Sequence, residues 1–306
     1  GAMGTMLQTK VDRKGFCPEE LNVVNPELVR EIHALYKDAG AMVLTTNTFG
    51  ANRIKLEDYG LQDRVFELNY NGVKIAKEVA GDDILVAGSI GPTGRLLEPL
   101  GPLSFDEAVD VFKEQARALE EAGCDIFKIE TMMDIKEAKA AIVAIKEITK
   151  KPIIALMTFE KNERTVLGTP PEVAAIVLEA AGADVVGANC SLGVEGIYSI
   201  LQRMFTVTSI HLMAQPNAGI PVMKNGINIF PDTPDKVAEY AEKFIEMGVR
   251  VIGGCCGTTP EHIRKIKECV SAKSHYPHLI KKIDICRIAS RNRYVIIGGN
   301  SGIAIV

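Results

Sequence analysis

What this sequence lacks narrows its class before any motif is considered. No apolar run approaches the roughly 20 residues needed to span a bilayer. No charged-then-apolar leader is present, and the chain starts directly on Gly1-Ala2-Met3-Gly4. No basic stripe interleaved with aromatics occurs, and the formal net charge is only −4, so neither a membrane nor a nucleic acid is an expected partner. There is no Cys-x-x-Cys pair, although the 306 residues include seven cysteines. That set is odd and scattered, and two members, Cys255 and Cys256, are neighbours, between which a disulfide is badly strained. The expectation is a reducing, cytoplasmic setting in which clustered cysteines mean metal or catalysis. What is present is an ordinary globular composition, 47% apolar and 24% charged, enough for one large α/β domain and an appendage.

Helix-like and strand-like segments alternate along the chain. Apolar spacing predicts helices over 26–39, 61–80, 104–122, 134–148, 170–181, 194–204, 234–247 and 260–270. Asn25-Pro26, Thr169-Pro170 and Thr233-Pro234 read as start signals, a capping residue ahead of a first-turn proline. Short, nearly continuous apolar runs at 42–46, 84–88, 126–129, 153–157, 185–188, 211–214 and 250–253 suit parallel strands buried on both faces. The expected fold class is α/β, a (β/α)8 TIM-type barrel. Only seven strands precede the last helix, so the barrel is expected to lack its first strand or to have a neighbouring segment in that place. Residues 271–293 read as a polar, basic linker. Tyr294 to Ile297 and Ile303 to Val306 flank Gly298-Gly299-Asn300 as a hairpin. The chain stops inside an apolar run, and the expectation is a further domain beyond it.

Four segments share one register, in which a helix-ending glycine is followed seven residues later by a polar side chain. They run from Gly40 to Asn47, Gly123 to Glu130, Gly182 to Asn189 and Gly248 to Cys255. Catalytic groups of such barrels sit at the C-terminal strand ends, so Asn47, Glu130, Asn189, Cys190, Cys255 and Cys256 are expected around one mouth. Structural zinc uses four ligands in close pairs, whereas catalytic zinc keeps three and leaves one position open. Three thiolates suit a further sulfur ligand, whose ordinary pKa near 8.5 such an ion lowers. The plain alternative is that Cys255 and Cys256 are small buried residues after a glycine turn.

Glu130 is a candidate partner for a substrate ammonium, or else a carboxylate that pairs with Lys128 or caps a helix. Strand alternation is read here as pointing Lys128 away from Glu130. The glycine-rich segments Gly1 to Thr5 and Gly88 to Gly94, with Ser89, offer backbone N–H groups for a carboxylate, and could equally cradle phosphate or be plain turns. Asn217, in Pro216-Asn217-Ala218-Gly219, is a candidate oxygen ligand for the open metal position, or an ordinary turn residue.

Gly1-Ala2-Met3-Gly4-Thr5-Met6-Leu7, Thr46-Asn47-Thr48-Phe49-Gly50, Gly187-Ala188-Asn189-Cys190 and Gly253-Gly254-Cys255-Cys256-Gly257-Thr258-Thr259-Pro260 resemble the zinc-dependent homocysteine methyltransferases over about residues 1–270. Within that family, the opening, the Pro216–Gly219 segment and the tail look most like the homocysteine-binding module of cobalamin-dependent methionine synthases. There a linker and a folate-binding barrel follow, and Ile303 to Val306 resembles that barrel's first strand. The resemblance implies residues 1–270 as the zinc barrel and 271–306 as linker and start of a following domain. It implies Cys190, Cys255 and Cys256 as zinc ligands and Glu130 as the contact for the homocysteine amine. Gly1, Ala2, Thr5, Asn47 and Ser89 are its implied further substrate contacts, with no catalytic group beyond the zinc site. An aspartate normally precedes the opening Gly-Ala in the family, and none stands before Gly1 here. Methylcobalamin, bound by another domain of the same polypeptide, is the implied methyl donor. The rival readings are a free-standing methyltransferase using S-methylmethionine or betaine, a zinc-free aldolase-type barrel on a phosphorylated substrate, and a degenerate barrel kept for partner binding.

Overall fold

The computed structural model describes residues 2–11, 15–224, 227–273, 295–299 and 303–305. From the linker expected over 271–293, residues 274–293 lie outside them, and so does Gly1. Seven parallel strands form the curled sheet: β1 (Val43–Thr45), β2 (Leu85–Ile90), β3 (Ile126–Met132), β4 (Ile153–Met157), β5 (Val185–Asn189), β6 (His211–Gln215) and, beyond a small hairpin of β7 (Val222–Lys224) and β8 (Ile227–Ile229), β9 (Val251–Gly253). Helices Pro26–Asp38, Val65–Ala80, Phe105–Ala122, Ile135–Lys146, Pro171–Ala181, Val194–Phe205, Pro234–Met247 and Pro260–Lys273 fall where the periodicity predicts them.

Closure comes from the end of the chain. Strand β10 (Val295–Gly299) runs parallel to β1, with Leu44 opposite Gly298, and parallel to β9, with Val251 opposite Val295. Strand β11 (Ile303–Ile305) turns back antiparallel on β10 as the expected hairpin and also pairs with β9 and β1. This is a TIM-type barrel short of one strand of its regular series, with the C-terminal hairpin in the gap. The physical reason is the unpaired N–H and C=O groups that the edges of β1 and β9 would otherwise present.

The glycine register has a mechanical basis. Gly40, Gly123, Gly182 and Gly248 all adopt φ near +95°, between 91° and 101°. Such left-handed residues stop a helix and turn the chain into the following strand. Helix starts are equally local: Asn25 and Thr233 accept from Leu28 and Lys236 backbone N–H groups, and Ser104 forms a capping box with Glu107. Thr169 does not cap; its helix begins one residue later, at Pro171, with Pro170 in the capping place.

Two apolar layers result from strand alternation. Val43, Leu85, Ala87, Ile126, Ile154, Leu156, Val185, Met213 and Val251 fill the barrel floor, while Leu44, Val86, Phe127, Ile153, Val186 and Ile252 face the helices. Each fully buried large side chain contributes about 1.5–3 kcal/mol. Further along the inward rows come Ser89 of β2, Lys128 and then Glu130 of β3, Asn189 of β5, Gln215 of β6 and, two residues past β9, Cys255. The expectation that Lys128 points away from Glu130 is therefore corrected. Residues two apart on a strand share a face.

A different element is missed by periodicity. Residues Met3–Lys10 form a helix, where a glycine-rich loop was expected. Its buried Met3 and Leu7, one turn apart, pack on the main core, and Tyr36 Oη accepts from Ala2 N at 2.8 Å while donating to Thr258 O at 2.9 Å. Among the described residues, no helix is long and apolar enough to cross a membrane.

His33 marks a weak point in this core. It lies on the inner side of helix Pro26–Asp38 with Val29, Ile32 and Tyr36, fully buried, and neither ring nitrogen has a hydrogen-bond partner among the described residues. Burial pushes its pKa down to about 3. The unfolded chain therefore takes up a proton as pH falls below about 6.5 while the folded chain stays neutral, and stability drops between about pH 6.5 and 3. His33→Leu is expected to gain roughly 1 kcal/mol at pH 7, since two unsatisfied polar atoms disappear, and more at pH 5. Urea midpoints at the two pH values measure both effects; a variant less stable than wild type at each would show that the ring has a partner.

Candidate metal centre and substrate site

The three cysteines meet. The Sγ atoms of Cys190, Cys255 and Cys256 all lie within 4.8 Å of one another, and those of Cys190 and Cys256 are 3.9 Å apart. Tetrahedral zinc with Zn–S bonds of about 2.3 Å spaces its sulfurs by roughly 3.8 Å, so this donor set fits a soft divalent ion. As thiols they share charge unequally. Hydrogen bonds from Cys255 and Cys256 pull Cys190 down to about 3, and the Cys190 interaction pushes Cys255 up to about 12 and Cys256 higher still. Three sulfurs this close, one of them pushed toward its thiolate by the other two, suit a bound cation.

Backbone geometry aims these groups. Cys190 and Ser191 leave β5 with φ of 62° and 56°, in the left-handed region, which costs non-glycine residues of order 1–3 kcal/mol each. Cys190 N donates to Gln215 O at 3.2 Å and so ties the turn to β6. Thr131, next to Glu130, also has a positive φ of 61°, and Asn189 holds it there, accepting from Thr131 N at 2.7 Å and donating to Thr131 Oγ1 at 2.8 Å. The same Asn189 amide lies 3.8 Å from Cys255 Sγ. Asn189 thereby braces three strand ends.

The Cys255-Cys256 turn is clamped on the Pro216–Gly219 segment. Cys255 N donates to Pro216 O at 2.7 Å, Ala218 N to Cys256 O at 2.9 Å, and Cys256 N to Asn217 Oδ1 at 3.0 Å. The Asn217 oxygen expected at the metal position is thus engaged with the backbone of Cys256. Gly257, at φ 78°, closes the turn; a Cβ there would stand 2.1 Å from the Phe230 ring. A cavity of about 450 Å³ opens onto Cys190 and Cys256, walled by Glu160, Lys161, Asn217 and Phe230.

Glu130 sits beside this centre, 2% exposed. Its Oε1 accepts from Ser89 Oγ at 2.5 Å, its Oε2 from Gln215 Nε2 at 3.2 Å, and Lys128 Nζ lies 2.8 Å from Oε2. Lys128 and Gln215 are absent from the candidates read from sequence. The inward period of two that runs through Ile126 and Met213 was the signal for both.

The other candidates are placed less directly. Asn47 is buried but donates to Pro18 O and Asn22 Oδ1, tying β1 to the N-terminal segment. Ala2 N is engaged by Thr258 O and Tyr36 Oη, and Thr5 Oγ1 accepts from Gly257 N at 3.4 Å. In the Gly88–Gly94 segment, Gly91 N donates to Phe49 O and Thr93 N to Glu137 Oε1. Burial raises the Glu137 pKa, and both Thr93 donors lower it.

Comparison with known proteins agrees with this geometry. The family model described as homocysteine S-methyltransferase matches residues 1–270. Methionine synthase of Mycobacterium tuberculosis is 35% identical over 290 residues, and that of Mycobacterium leprae 34%; each alignment covers 89% of this chain. The chain spans only 24% of the length of these relatives. The metallated form of the homocysteine methyltransferase MmuM from Escherichia coli superposes with a TM-score of 0.74 at 26% identity, covering 88% of this chain and 94% of MmuM. From the three-cysteine mouth and these matches together, the chain belongs to the homocysteine S-methyltransferase family.

Proposed function

We propose that this chain is the homocysteine-activating zinc module of a cytoplasmic methionine synthase. The observation that carries the reading is the close meeting of Cys190, Cys255 and Cys256 at the edge of a cavity large enough for an amino-acid thiol. Zinc held by these three residues supplies an open position that favours a substrate thiol in its nucleophilic thiolate form.

The protein groups supply the rest. Glu130 accepts the homocysteine ammonium. The first-turn N–H groups of helix Met3–Lys10, beside Gly257 and Thr258, receive the carboxylate at a helix N-terminus. Asn189, Asn217 and the Pro216–Gly219 backbone hold the cysteines in position. The methyl donor is methylcobalamin, bound by another domain of the same polypeptide, which also carries a folate-binding domain. Exposed apolar residues in the segments that follow the strand ends, Leu100 and Val166 in loops and Val222 and Met223 in the β7–β8 hairpin, suit such a domain docking there. Residues 1–270 are the module and 271–306 lead into the next domain. Because Val295–Gly299 and Ile303–Ile305 pair with β1 and β9, they would have to leave this barrel to serve another.

A second reading has one observation in its favour: MmuM matches over nearly its whole length. It takes the chain as a free-standing methyltransferase using a sulfonium donor, and supply of methylcobalamin or S-methylmethionine to the zinc-loaded protein separates the two. The aldolase-type reading gains nothing from the inward position of Lys128, whose ammonium is ion-paired and outside the residues walling the cavity.

Thiol activation is tested without turnover. Binding of homocysteine to the zinc-loaded protein at pH 7 is expected to release about one proton, because the metal position takes a thiolate. Calorimetry in buffers of different ionisation enthalpy reads it directly; heats that do not depend on the buffer would mean that the thiol keeps its proton.

A further inference from the structure

Lys128 has no part in the chemistry just described, yet the barrel keeps it at its centre. Its side chain is fully buried, with 0% exposure, and its ammonium lies 2.8 Å from Glu130 Oε2. Burial pulls the Lys128 pKa down and the Glu130 carboxylate works against that shift, because an ammonium keeps its charge in such a place only beside a counter-charge. The counter-charge here is the carboxylate assigned to the substrate amine. Ser89 Oγ, Gln215 Nε2 and Lys128 Nζ are among the groups that occupy the Glu130 carboxylate, which has about four acceptor positions. With its proton held against Glu130 at 2.8 Å, Lys128 cancels the carboxylate charge, so an arriving ammonium meets a neutral pair.

We propose that Lys128 is a specificity-determining, positioning residue that neutralises Glu130, so that the site selects its substrate through sulfur and carboxylate and discriminates weakly between thiols with and without an α-ammonium group. The inference rests on the reading of Glu130 as the amine contact. It follows from charge balance. A buried carboxylate without a partner cation draws the substrate ammonium as its only counter-charge, whereas one already paired gains little from a second cation. The substrate class of the site then extends to γ-mercapto acids that lack the amine.

The test compares homocysteine with γ-mercaptobutyrate, the same molecule without its amine, by calorimetric titration of the zinc-loaded protein. Wild type is expected to bind the two within about fivefold of each other. Lys128→Met is expected to widen that ratio by about tenfold or more in favour of homocysteine, with zinc content per chain unchanged. In Lys128→Met/Glu130→Gln, which buries no charge at this position, the ratio should return to that of wild type. A merely structural lysine would shift both ligands together and leave the ratio alone. A wild-type preference for homocysteine above about a hundredfold overturns the inference. So does an unchanged ratio in folded, zinc-loaded Lys128→Met, or, should that variant fail to fold, a ratio in the double variant that departs from wild type. Failure of both thiols to bind overturns the proposed function itself and this inference with it; binding of both with the wrong ratios overturns only the role of Lys128.

Discussion

Cys255→Ser is expected to lose its zinc. Wild type should retain about one ion per chain after dialysis, held by three thiolates with one position open. A serine hydroxyl is a hard, neutral donor that does not ionise near neutral pH, so the variant keeps two good ligands. The loss should be about 3 kcal/mol or more, a hundredfold or greater weakening. Cys255 is the innermost of the three, 8% exposed, and its Sγ lies within reach of Cys190, Cys256 and the Asn189 amide. Among the described residues, no fourth cysteine joins the cluster. Metal analysis and homocysteine binding should fail together, while Cys269→Ser, in helix Pro260–Lys273, keeps both. Full zinc occupancy in Cys255→Ser, or in Cys190→Ser, would sink the metal assignment.

Gly187→Ala is expected to be the most damaging one-carbon change in the barrel wall. Gly187 lies in β5, opposite Met213 of β6, and a Cβ built on it would stand 2.0 Å from the Met213 carbonyl oxygen. That obstacle is backbone and cannot swing aside, so the two strands must separate or shift. Overpacking of this kind costs about 3 kcal/mol. At roughly 2–4 °C per kcal/mol for a chain of this size, the thermal midpoint should fall by about 6–12 °C. Asn189 and Cys190 follow two and three residues later, so zinc affinity should fall as well. A midpoint within about 2 °C of wild type would mean that the β5–β6 register differs from the one described.

The strand ends were legible because they are built by local chemistry. At Gly40, Gly123, Gly182 and Gly248 a left-handed glycine ends the helical turn, a short apolar run follows, and the next polar residue emerges at the mouth; none of this needs a distant contact. The helix Met3–Lys10 was not legible for the opposite reason. Its two buried apolar residues make too weak a stripe to reveal it, and its anchor is Tyr36, bonded to Ala2 and to Thr258 across 222 residues. The direction of Lys128 could have been read, since a period of two puts it on the Glu130 side. The bracing of Thr131 by Asn189 could not, because it joins the ends of two strands 58 residues apart.

By itself the sequence determined that this chain alternates strand and helix, that seven parallel barrel strands precede its last long helix, and that three cysteines and a glutamate leave those strands at one end. Spacing, capping and glycine conformation act within a few residues, so they can be read in order along the chain. Only the tertiary structure decided that the three sulfurs come within 4.8 Å, that Asn217 turns its oxygen to the Cys256 backbone, that Lys128 and Gln215 close around Glu130, and that Val295–Gly299 takes the eighth place in the wall. The Asn217, Gln215 and β10 contacts, and the Cys190 contacts of the thiol cluster, join residues 39 or more apart in the chain, and barrel closure brings such residues together. Lys128 and Glu130 are near neighbours, but what confines them as a buried pair is the same closed wall, which excludes the water that would otherwise separate their charges.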